Sequence, residues 1–210
     1  MAYIEAKNYM KAINSNTVLD NIDLRLEKGK IYGLVGRNGC GKTMLIRAIC
    51  GLITPDSGEM IVDGINVGNG IYPKSLGVVI ENITLFEYMS AFKNLKMLND
   101  ISRNKIDESE IKAWLERLGL KADDRRNIKK YSLGMKQKVS LIQAFMNKPD
   151  LIILDEPTNA LDEESVRTLS EIITQTNKGK GTTVIIASHD RANLDGLCDE
   201  IIEMRDGKIV

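Results

Sequence analysis

The chain has 210 residues, which is long enough to bury a substantial hydrophobic core without disulfides or a structural metal. Lys plus Arg and Asp plus Glu both total 29, so no net basic field attracts nucleic acid, and we expect no nucleic-acid partner. The three cysteines are widely spaced and there is one histidine, which excludes a disulfide framework and predicts a reducing, cytoplasmic compartment.

The first part of the chain predicts short antiparallel strands joined by turns. Ile22, Leu24 and Leu26 alternate with charged residues, as in a half-buried strand. Residues 58–67 predict a hairpin that turns at Asp63-Gly64, because these two residues readily supply the positive φ angles of a tight turn.

A strand, a loop and a helix follow one another between the strand that contains Leu26 and the hairpin at 58–67. Residues 31–35 predict a buried strand, residues 36–43 read GRNGCGKT, and an apolar helix then ends before Gly51. This order is typical of α/β nucleotide-binding units.

The apolar residues recur at helical spacing from about residue 86 to 146, after a further predicted strand at 76–81. One helix is predicted to begin with a capping box of Asp107 and Glu110 and to end just before Gly119. Its apolar stripe consists of Ile111, Trp114, Leu115 and Leu118. We interpret Trp114 as a core residue rather than a ligand platform.

The strand pattern returns after Pro149. Residues 151–156 and 183–188 predict buried strands, a helix is expected at about 162–176, and residues 200–210 predict a terminal hairpin. Strands that alternate with helices predict an α/β fold with a mostly parallel sheet and functional loops at its C-terminal edge.

We interpret residues 1–210 as a single domain. Residues 1–85 and 148–210 form the predicted α/β core, with an N-terminal antiparallel β subdomain, and residues 86–147 form an inserted α-helical subdomain. The apolar runs are far shorter than the roughly 20 residues that span a bilayer, and no signal-peptide pattern is present. We therefore expect a chain that neither crosses a membrane nor is exported by the signal-peptide route.

The loop at residues 36–43 matches the P-loop pattern G-x-x-x-x-G-K-[ST]. Its glycines let backbone N–H groups turn toward a phosphate, Lys42 adds a point charge, and the Thr43 hydroxyl suits Mg²⁺. Cys40 can be a thiol of lowered pKa that is open to oxidation, but we favour a small space-filling residue. The predicted nucleotide contacts in this region are Gly36, Arg37, Asn38, Gly39, Cys40, Gly41, Lys42, Thr43 and Met44.

Two consecutive acids end the predicted strand at 151–156. Asp155 is placed to hold the shell of a Mg²⁺ ion, whereas Glu156 points elsewhere and can polarise a water for attack on a γ-phosphate. Two buried adjacent carboxylates are costly unless a cation lies near them, so a purely structural role is the weaker interpretation.

With four further motifs, the chain resembles the nucleotide-binding domain of the ABC ATPase family over nearly its whole length. The six motifs occur in family order: GRNGCGKT at 36–43 (Walker A), Glu81 (the Q-loop position), YSLGMKQK at 131–138 (signature), LIILDE at 151–156 (Walker B), NALD at 159–162 (D-loop) and ASHD at 187–190 (H-loop). The signature, D-loop and H-loop exclude kinases and GTPases. The resemblance predicts a P-loop NTPase core of the α/β class.

The resemblance implies an ATPase with ATP and Mg²⁺ as its cofactors. It assigns catalysis to Lys42, Glu156 and His189, with Glu156 as the base and His189 in contact with the γ-phosphate. The implied metal ligands are Thr43, Asp155 and Glu81.

The resemblance also implies partners, because two ATP molecules lie between two chains in this family. Ser132 and Gly134 would contact the γ-phosphate bound by a second ATPase subunit, identical or different, and Asp162 would bridge to that subunit while it caps a helix. Integral membrane permease subunits would insert a helix near residues 81–94. The protein would then lie peripherally on the inner face of the cell membrane.

Several positions depart from the family pattern. Leu133 and Met135 replace a glycine and a glutamine of the signature, which weakens contact to a ribose. Glu81 replaces a glutamine and adds negative charge near the γ-phosphate. Ile13 stands where the family has an aromatic residue that stacks on adenine, although Tyr9 is close in sequence.

The signature wording and Glu81 resemble the ABC ATPases of peptide-antibiotic export or immunity, of the bacitracin or lantibiotic type. The predicted function is therefore the ATP-hydrolysing subunit of an exporter. The alternative is a non-transport ABC ATPase of translation or DNA repair, but neither a basic linker to a second domain nor a long coiled coil is present. A regulatory module without catalysis is disfavoured by the intact Lys42, Asp155, Glu156 and His189.

Overall fold

The computed structural model describes residues 2–80 and 85–210, which form two β-sheets and five α-helices within these ranges. The strands are β1 Ile4–Ile13, β2 Asn16–Leu26, β3 Ile31–Val35, β4 Ser57–Val62, β5 Ile65–Asn66, β6 Leu76–Val79, β7 Leu151–Asp155, β8 Thr183–Ser188, β9 Glu200–Arg205 and β10 Lys208–Ile209. The helices are α1 Lys42–Ile49, α2 Ala91–Ile101, α3 Glu108–Arg117, α4 Leu133–Phe145 and α5 Glu163–Lys180. No described helix is long and apolar enough to span a membrane.

The larger sheet has six strands in the order β10-β9-β3-β8-β7-β6. Its pairs are parallel except for the predicted terminal hairpin of β9 and β10. The register places Val35 beside Ser188 and Asp155 beside Ala187. The loops that follow β3, β7 and β8 therefore leave the same edge of the sheet, where ligands bind in open α/β folds.

Alternate side chains of β7 enter two different hydrophobic cores. Leu151 and Ile153 pack with α1 and the antiparallel sheet, whereas Ile152 and Leu154 pack with the helices on the opposite face. Because successive side chains of a strand point to opposite faces, a strand covered on both sides reads as an unbroken apolar run. This explains the sequence of β7.

The smaller sheet is antiparallel, with the order β2-β1-β4-β5. The hairpin predicted at Asp63-Gly64 is confirmed, since Val62 pairs with Ile65 and the two turn residues have φ of 49° and 74°. The residues predicted to line the core side of β2 are all buried: Ile22, Leu24 and Leu26.

The predicted capping box at the start of α3 is wrong. Asp107 occupies the N-cap position, but its side chain makes no cap hydrogen bond. The carboxylate of Glu110 does not reach back to it, because it pairs with Lys148 at 2.8 Å. The predicted end of the helix is correct, as Gly119 has φ 71° and donates its N–H to the carbonyl of Glu116 at 2.9 Å.

Three helices, α2 to α4, lie between β6 and β7 in the chain, as the sequence predicts. Helix α4 packs closely on β6, where a Cβ atom on Gly77 would overlap the carbonyl oxygen of Ala144. Trp114 of α3 lies 6.4 Å from the ring of Phe145 on α4 and packs against the core. The division of the chain into a core and a separate helical subdomain stays a prediction.

Candidate active site

The loop between β3 and α1 folds around the side chain of Lys42. Its Nζ donates to the carbonyl oxygens of Gly36 at 2.7 Å and Arg37 at 3.3 Å, and the residue is only 6 % exposed. Gly39 and Gly41 have φ of 81° and 109°, which glycine adopts without steric strain. The N-terminus of α1 consequently faces a cavity of about 240 Å³, a geometry that suits a phosphate.

Residues from the loop and from the end of β7 line this cavity together. Asn38, Thr43 and Met44 lie on the loop side, and Asp155 and Glu156 lie on the other. The structure therefore brings the predicted P-loop and the predicted acidic pair to one place.

Cys40 fills space beneath the loop, as we favoured from the sequence. It is buried in the hydrophobic core, and its carbonyl accepts a hydrogen bond from the N–H of Gly207 at 2.9 Å. Gly36 lies against it, and a Cβ there would overlap the carbonyl of Met204. The tight packing leaves the loop backbone, rather than the thiol, facing the cavity.

Thr43 and Asp155 form an oxygen pair at the edge of the cavity. The Oγ1 atom of Thr43 donates to Oδ2 of Asp155 at 2.7 Å, and Asp155 is buried. Hydroxyl and carboxylate oxygens are the ligands that Mg²⁺ prefers, and this ion usually takes few of them from the protein.

Glu156 follows Asp155 but turns in another direction. Its φ of 46° lies in the left-handed region, and its N–H donates to the carbonyl of Ala187 at 2.9 Å. Its Oε1 atom lies 2.9 Å from Nδ1 of His189, and since a carboxylate only accepts, Nδ1 carries the proton. The Oε2 atom is buried and has no hydrogen-bond partner in the described part of the chain. A buried carboxylate oxygen of this kind is positioned to bind a water or a substrate group.

The segment at 131–138 begins helix α4, and Ser132 is its N-cap. The Oγ atom of Ser132 accepts from the N–H of Met135 at 3.2 Å. Leu133 is 65 % exposed, so the N-terminal end of α4 faces solvent. Gly134 lies so close to the carbonyl of Ala160 that a Cβ would not fit. An exposed helix N-terminus can bind an anion that another molecule presents.

Asp162 caps α5, as predicted. Its Oδ1 atom accepts from the hydroxyl of Ser165 at 2.7 Å and from the N–H of the same residue at 2.8 Å. Lys138 of α4 lies 3.5 Å from Oδ2. These contacts, led by the Ser165 hydroxyl, lower the pKa of Asp162 to about 2, so the carboxylate is ionised at neutral pH.

A family model described as ABC transporter matches residues 19–159, more than half of the chain. This chain belongs to the ABC transporter family. The matched region contains the P-loop, the signature helix and both acids at the end of β7, whereas Asp162 and His189 follow it in sequence. The predicted membership of the ABC ATPases is confirmed.

The chain is similar to ABC transporter ATP-binding proteins along nearly its whole length. It is 44 % identical to the uncharacterized ABC transporter ATP-binding protein YybJ of Bacillus subtilis strain 168, over 98 % of this chain and 94 % of YybJ. It is 35 % identical to the lantibiotic transport ATP-binding protein SrtF of Streptococcus pyogenes, over 99 % and 89 %. It is 34 % identical to the bacitracin transport ATP-binding protein BcrA of Enterococcus faecalis, over 99 % and 68 %.

The fold is that of known ABC cassettes. The dimeric, post-hydrolysis structure of the ATP-binding cassette MJ0796, with bound ADP and Pi, matches with a TM-score of 0.87 at 23 % identity. The match covers 98 % of this chain and 96 % of that one. The predicted fold class, a P-loop α/β core with a mostly parallel sheet, is confirmed.

The ABC motifs are not all brought to one cavity. A second cavity of about 640 Å³ lies between the P-loop and α4, and Asn38, Leu133 and His189 line it. Ser132 and Gly134 line neither this cavity nor the one at the P-loop. The predicted ligand Glu81 lies outside the described residues, so its role stays a prediction.

Tyr9 cannot take the place of the adenine-stacking aromatic residue that the family has. Its ring is fully buried, and its hydroxyl donates to the carbonyl of Ile53 at 3.3 Å. Ile13, at the end of β1, is 41 % exposed but offers no π-face. No aromatic side chain lines the described P-loop cavity.

One residue next to the site, Gln137, is not predicted from the sequence. It is 6 % exposed, and its Nε2 donates to the carbonyl of Pro157 at 3.1 Å. In the sequence it lies between two lysines and reads as a solvent-facing position. The available signal was its place on the same helical face as Gly134, three residues earlier.

Proposed function

We propose that the chain is the ATP-hydrolysing subunit of an ABC exporter, which requires Mg²⁺ and acts as a dimer on separate membrane permease subunits. One observation carries the proposal: two side-chain pairs, Thr43 with Asp155 and Glu156 with His189, lie beside the P-loop. The first pair suits a cation and the second suits an attacking water. Both are needed for phosphoryl transfer to water.

The P-loop binds the β- and γ-phosphates in this proposal. The N–H groups at the start of α1 point toward the anion, and the Nζ of Lys42 supplies a positive charge. Lys42 is already held over the loop by the carbonyls of Gly36 and Arg37, which keeps the ammonium near the position of the phosphates. A charged phosphate oxygen is a stronger acceptor than either carbonyl.

Thr43 and Asp155 would hold Mg²⁺, with Glu81 as a further ligand. The fit rests on the donor set, since their oxygens already meet at 2.7 Å beside the cavity. When bound, the ion neutralises charge on the β- and γ-phosphates.

Glu156 acts as the general base. Its Oε1 is held by His189, which leaves Oε2 to take a proton from water as the water oxygen bonds to the γ-phosphorus. The bond from that phosphorus to the β–γ bridging oxygen breaks, and ADP and phosphate leave. The ring of His189 lies beside Glu156 and would also contact the γ-phosphate.

The exposed start of α4 supports a dimer with nucleotide between the chains. Ser132 and the N–H of Gly134 would contact the γ-phosphate of the opposite subunit, and Asp162 would bridge the two. Leu133 stands where the family has glycine and is largely exposed, so it would place an apolar contact on the nucleotide of the other chain.

A groove beside α2 and α3 is the proposed site for a permease helix. It encloses about 1270 Å³ and includes Tyr88, Phe92, Lys93 and Lys112. Tyr88 is exposed and Phe92 is half-buried. Aromatic residues are enriched in protein interfaces, and an apolar groove can receive the apolar face of a helix. The groove overlaps the region at 81–94 predicted from the sequence, and binding there would hold the protein at the inner face of the membrane.

The proposed cargo is a peptide antibiotic. SrtF is a lantibiotic transport ATP-binding protein and BcrA is a bacitracin transport ATP-binding protein. About a third of the aligned residues of each are identical to those of this chain. The atypical signature with Leu133 and Met135 supports the same subgroup.

The test is affinity purification of the tagged full-length chain from detergent-solubilised membranes of its own host, followed by ATPase assay of the complex. We expect an integral membrane protein to copurify and ATP hydrolysis to require Mg²⁺. A Lys42→Ala chain should retain the membrane partner but not hydrolyse ATP. Sedimentation of the chain with ribosomes, and absence from the membrane fraction, would favour the non-transport alternative.

A further inference from the structure

We propose that Gln137 is a positioning residue for ATP hydrolysis. Its amide holds the backbone that follows Glu156, and it thereby connects the start of α4 to the hydrolytic pair of the same chain. The inference rests on the proposed function, because Gln137 acts through Glu156 as the general base.

The contact joins two elements that are distant in sequence. The Nε2 atom of Gln137 donates to the carbonyl of Pro157 at 3.1 Å, and both residues are buried. Pro157 comes directly after Glu156, and its carbonyl belongs to the peptide between Pro157 and Thr158, so the bond anchors the turn that follows the base. A buried carbonyl that loses its donor is destabilised, so the bond restrains this peptide strongly.

Glu156 needs such restraint because its backbone is strained. Its φ of 46° is left-handed, and a residue of this type keeps that conformation only where its surroundings enforce it. On one side, the N–H of Glu156 is held by the carbonyl of Ala187 on β8. On the other side, Gln137 holds Pro157. The base is therefore fixed from both β8 and α4.

The contact belongs to a wider interface between α4 and residues 157–162. Gly134, Gln137 and Lys138 lie on one helical face, at positions i, i+3 and i+4. Gly134 packs against Ala160, and Lys138 lies 3.5 Å from Asp162. The first turns of α4 and this segment thus form one packed unit. An anion that binds at the N-terminus of α4 would therefore affect the position of Glu156 in the same chain through this unit.

Two substitutions and a matched control test the inference in the full-length protein. Gln137→Met removes the donor at similar length, and Gln137→Glu keeps the shape but presents acceptors to the Pro157 carbonyl. The control is Gln143→Met on the same helix, where a half-buried glutamine makes no side-chain hydrogen bond among the described residues. The measurements are kcat and KM for ATP hydrolysis, equilibrium ATP affinity and Tm.

We expect both Gln137 variants to lose about tenfold or more in kcat while ATP affinity stays unchanged, because the base is misplaced but the P-loop is intact. Gln143→Met should retain the wild-type kcat. Two different replacements are used so that a folding failure of one leaves the other to decide.

Wild-type kcat in the Gln137 variants would overturn the inference. So would a parallel loss of kcat and ATP affinity, or an equal loss in Gln143→Met, because each indicates a general structural role. An inactive wild-type chain would instead contradict the proposed function itself. An active wild type with active Gln137 variants contradicts the inference alone.

Discussion

The Nδ1 atom of His189 lies 2.9 Å from Oε1 of Glu156, and this contact joins the ends of two neighbouring parallel strands. Glu156 follows β7, and His189 follows β8, so the sheet itself sets their distance. The contact occupies one carboxylate oxygen and leaves the other buried beside the P-loop cavity.

Replacement of His189 by Ala should lower kcat by about 100-fold or more, since in the proposed function the ring orients the base and would contact the transferred phosphate. ATP affinity of the single chain should change little, because the P-loop does not use the ring. Steady-state kinetics and equilibrium nucleotide binding measure the two effects. Arg191→Ala, two residues away on an exposed position, should leave both unchanged; a similar loss there would point to disruption of the loop.

Ser132→Glu should abolish hydrolysis, because in the proposed dimer it would place a carboxylate where the opposite subunit presents its γ-phosphate. ATP affinity of the monomer should remain, because Ser132 lines neither described cavity. Ser109→Glu, which also adds an acid near an exposed helix N-terminus, should remain active.

Mixing experiments separate action in trans from action in cis. If the signature acts on the other chain, a mixture of Ser132→Glu and Lys42→Ala chains contains dimers with one intact site, and activity returns. The reciprocal mixture contains the wild-type chain and a chain that carries both Ser132→Glu and Lys42→Ala. Its mixed dimers should have no intact site. If instead the mixed dimers of the two single variants are inactive and those of the wild type with the double variant are active, the signature acts on its own chain.

The sequence was sufficient to predict the strand-loop-helix unit, the acids and the histidine, because each motif lies at the end of a buried strand or directly after it. Parallel strands bring their C-terminal ends to one edge, so Asp155, Glu156 and His189 had to converge near the P-loop. Their pairing could not be predicted. It depends on the left-handed backbone of Glu156, and no local pattern indicates such a conformation for a glutamate.

The protein should discriminate little between adenine and guanine nucleotides, since Ile13 is not aromatic and Tyr9 is buried. Wild type should bind ATP and GTP with similar affinity. Ile13→Tyr should tighten both by about tenfold through stacking, which is sequence-tolerant. Binding of inorganic tripolyphosphate should not change.

The control for this prediction is Ile101→Tyr, which adds the same ring at an exposed position on α2. It should alter no nucleotide affinity. A strong preference of the wild type for ATP over GTP would mean that another group of the protein recognises the adenine ring.

The stability contributed by Asp162 should depend on pH. Its folded pKa of about 2 lies below the unfolded value of roughly 3.9, so its contribution is present above pH 4 and is lost as pH falls toward 2. The difference in Tm between wild type and Asp162→Ala should therefore shrink over that range. Asp107→Ala should cost less at neutral pH, because Asp107 makes no cap bond. A constant difference for Asp162 would show that its charge is not involved.

The two N-caps show why some local predictions fail. Asp162 and Asp107 both precede a helix with acids in its first turn, and both fit a capping pattern. Asp162 has Ser165 as a partner, whereas Glu110 is drawn to Lys148, which lies on a different part of the chain. Such competition between a local cap and a tertiary ion pair is not visible in sequence. The same holds for Gln137 and Pro157, whose contact depends on how α4 packs.

The most direct test of the account is the oligomeric state of Glu156→Gln with ATP and Mg²⁺. The amide cannot take the proton from water, so ATP should persist between the chains and hold them together. Analytical ultracentrifugation should show a dimer with ATP and Mg²⁺ and a monomer with ADP. A variant that binds ATP yet stays a monomer, or one that hydrolyses it at the wild-type rate, would contradict the account.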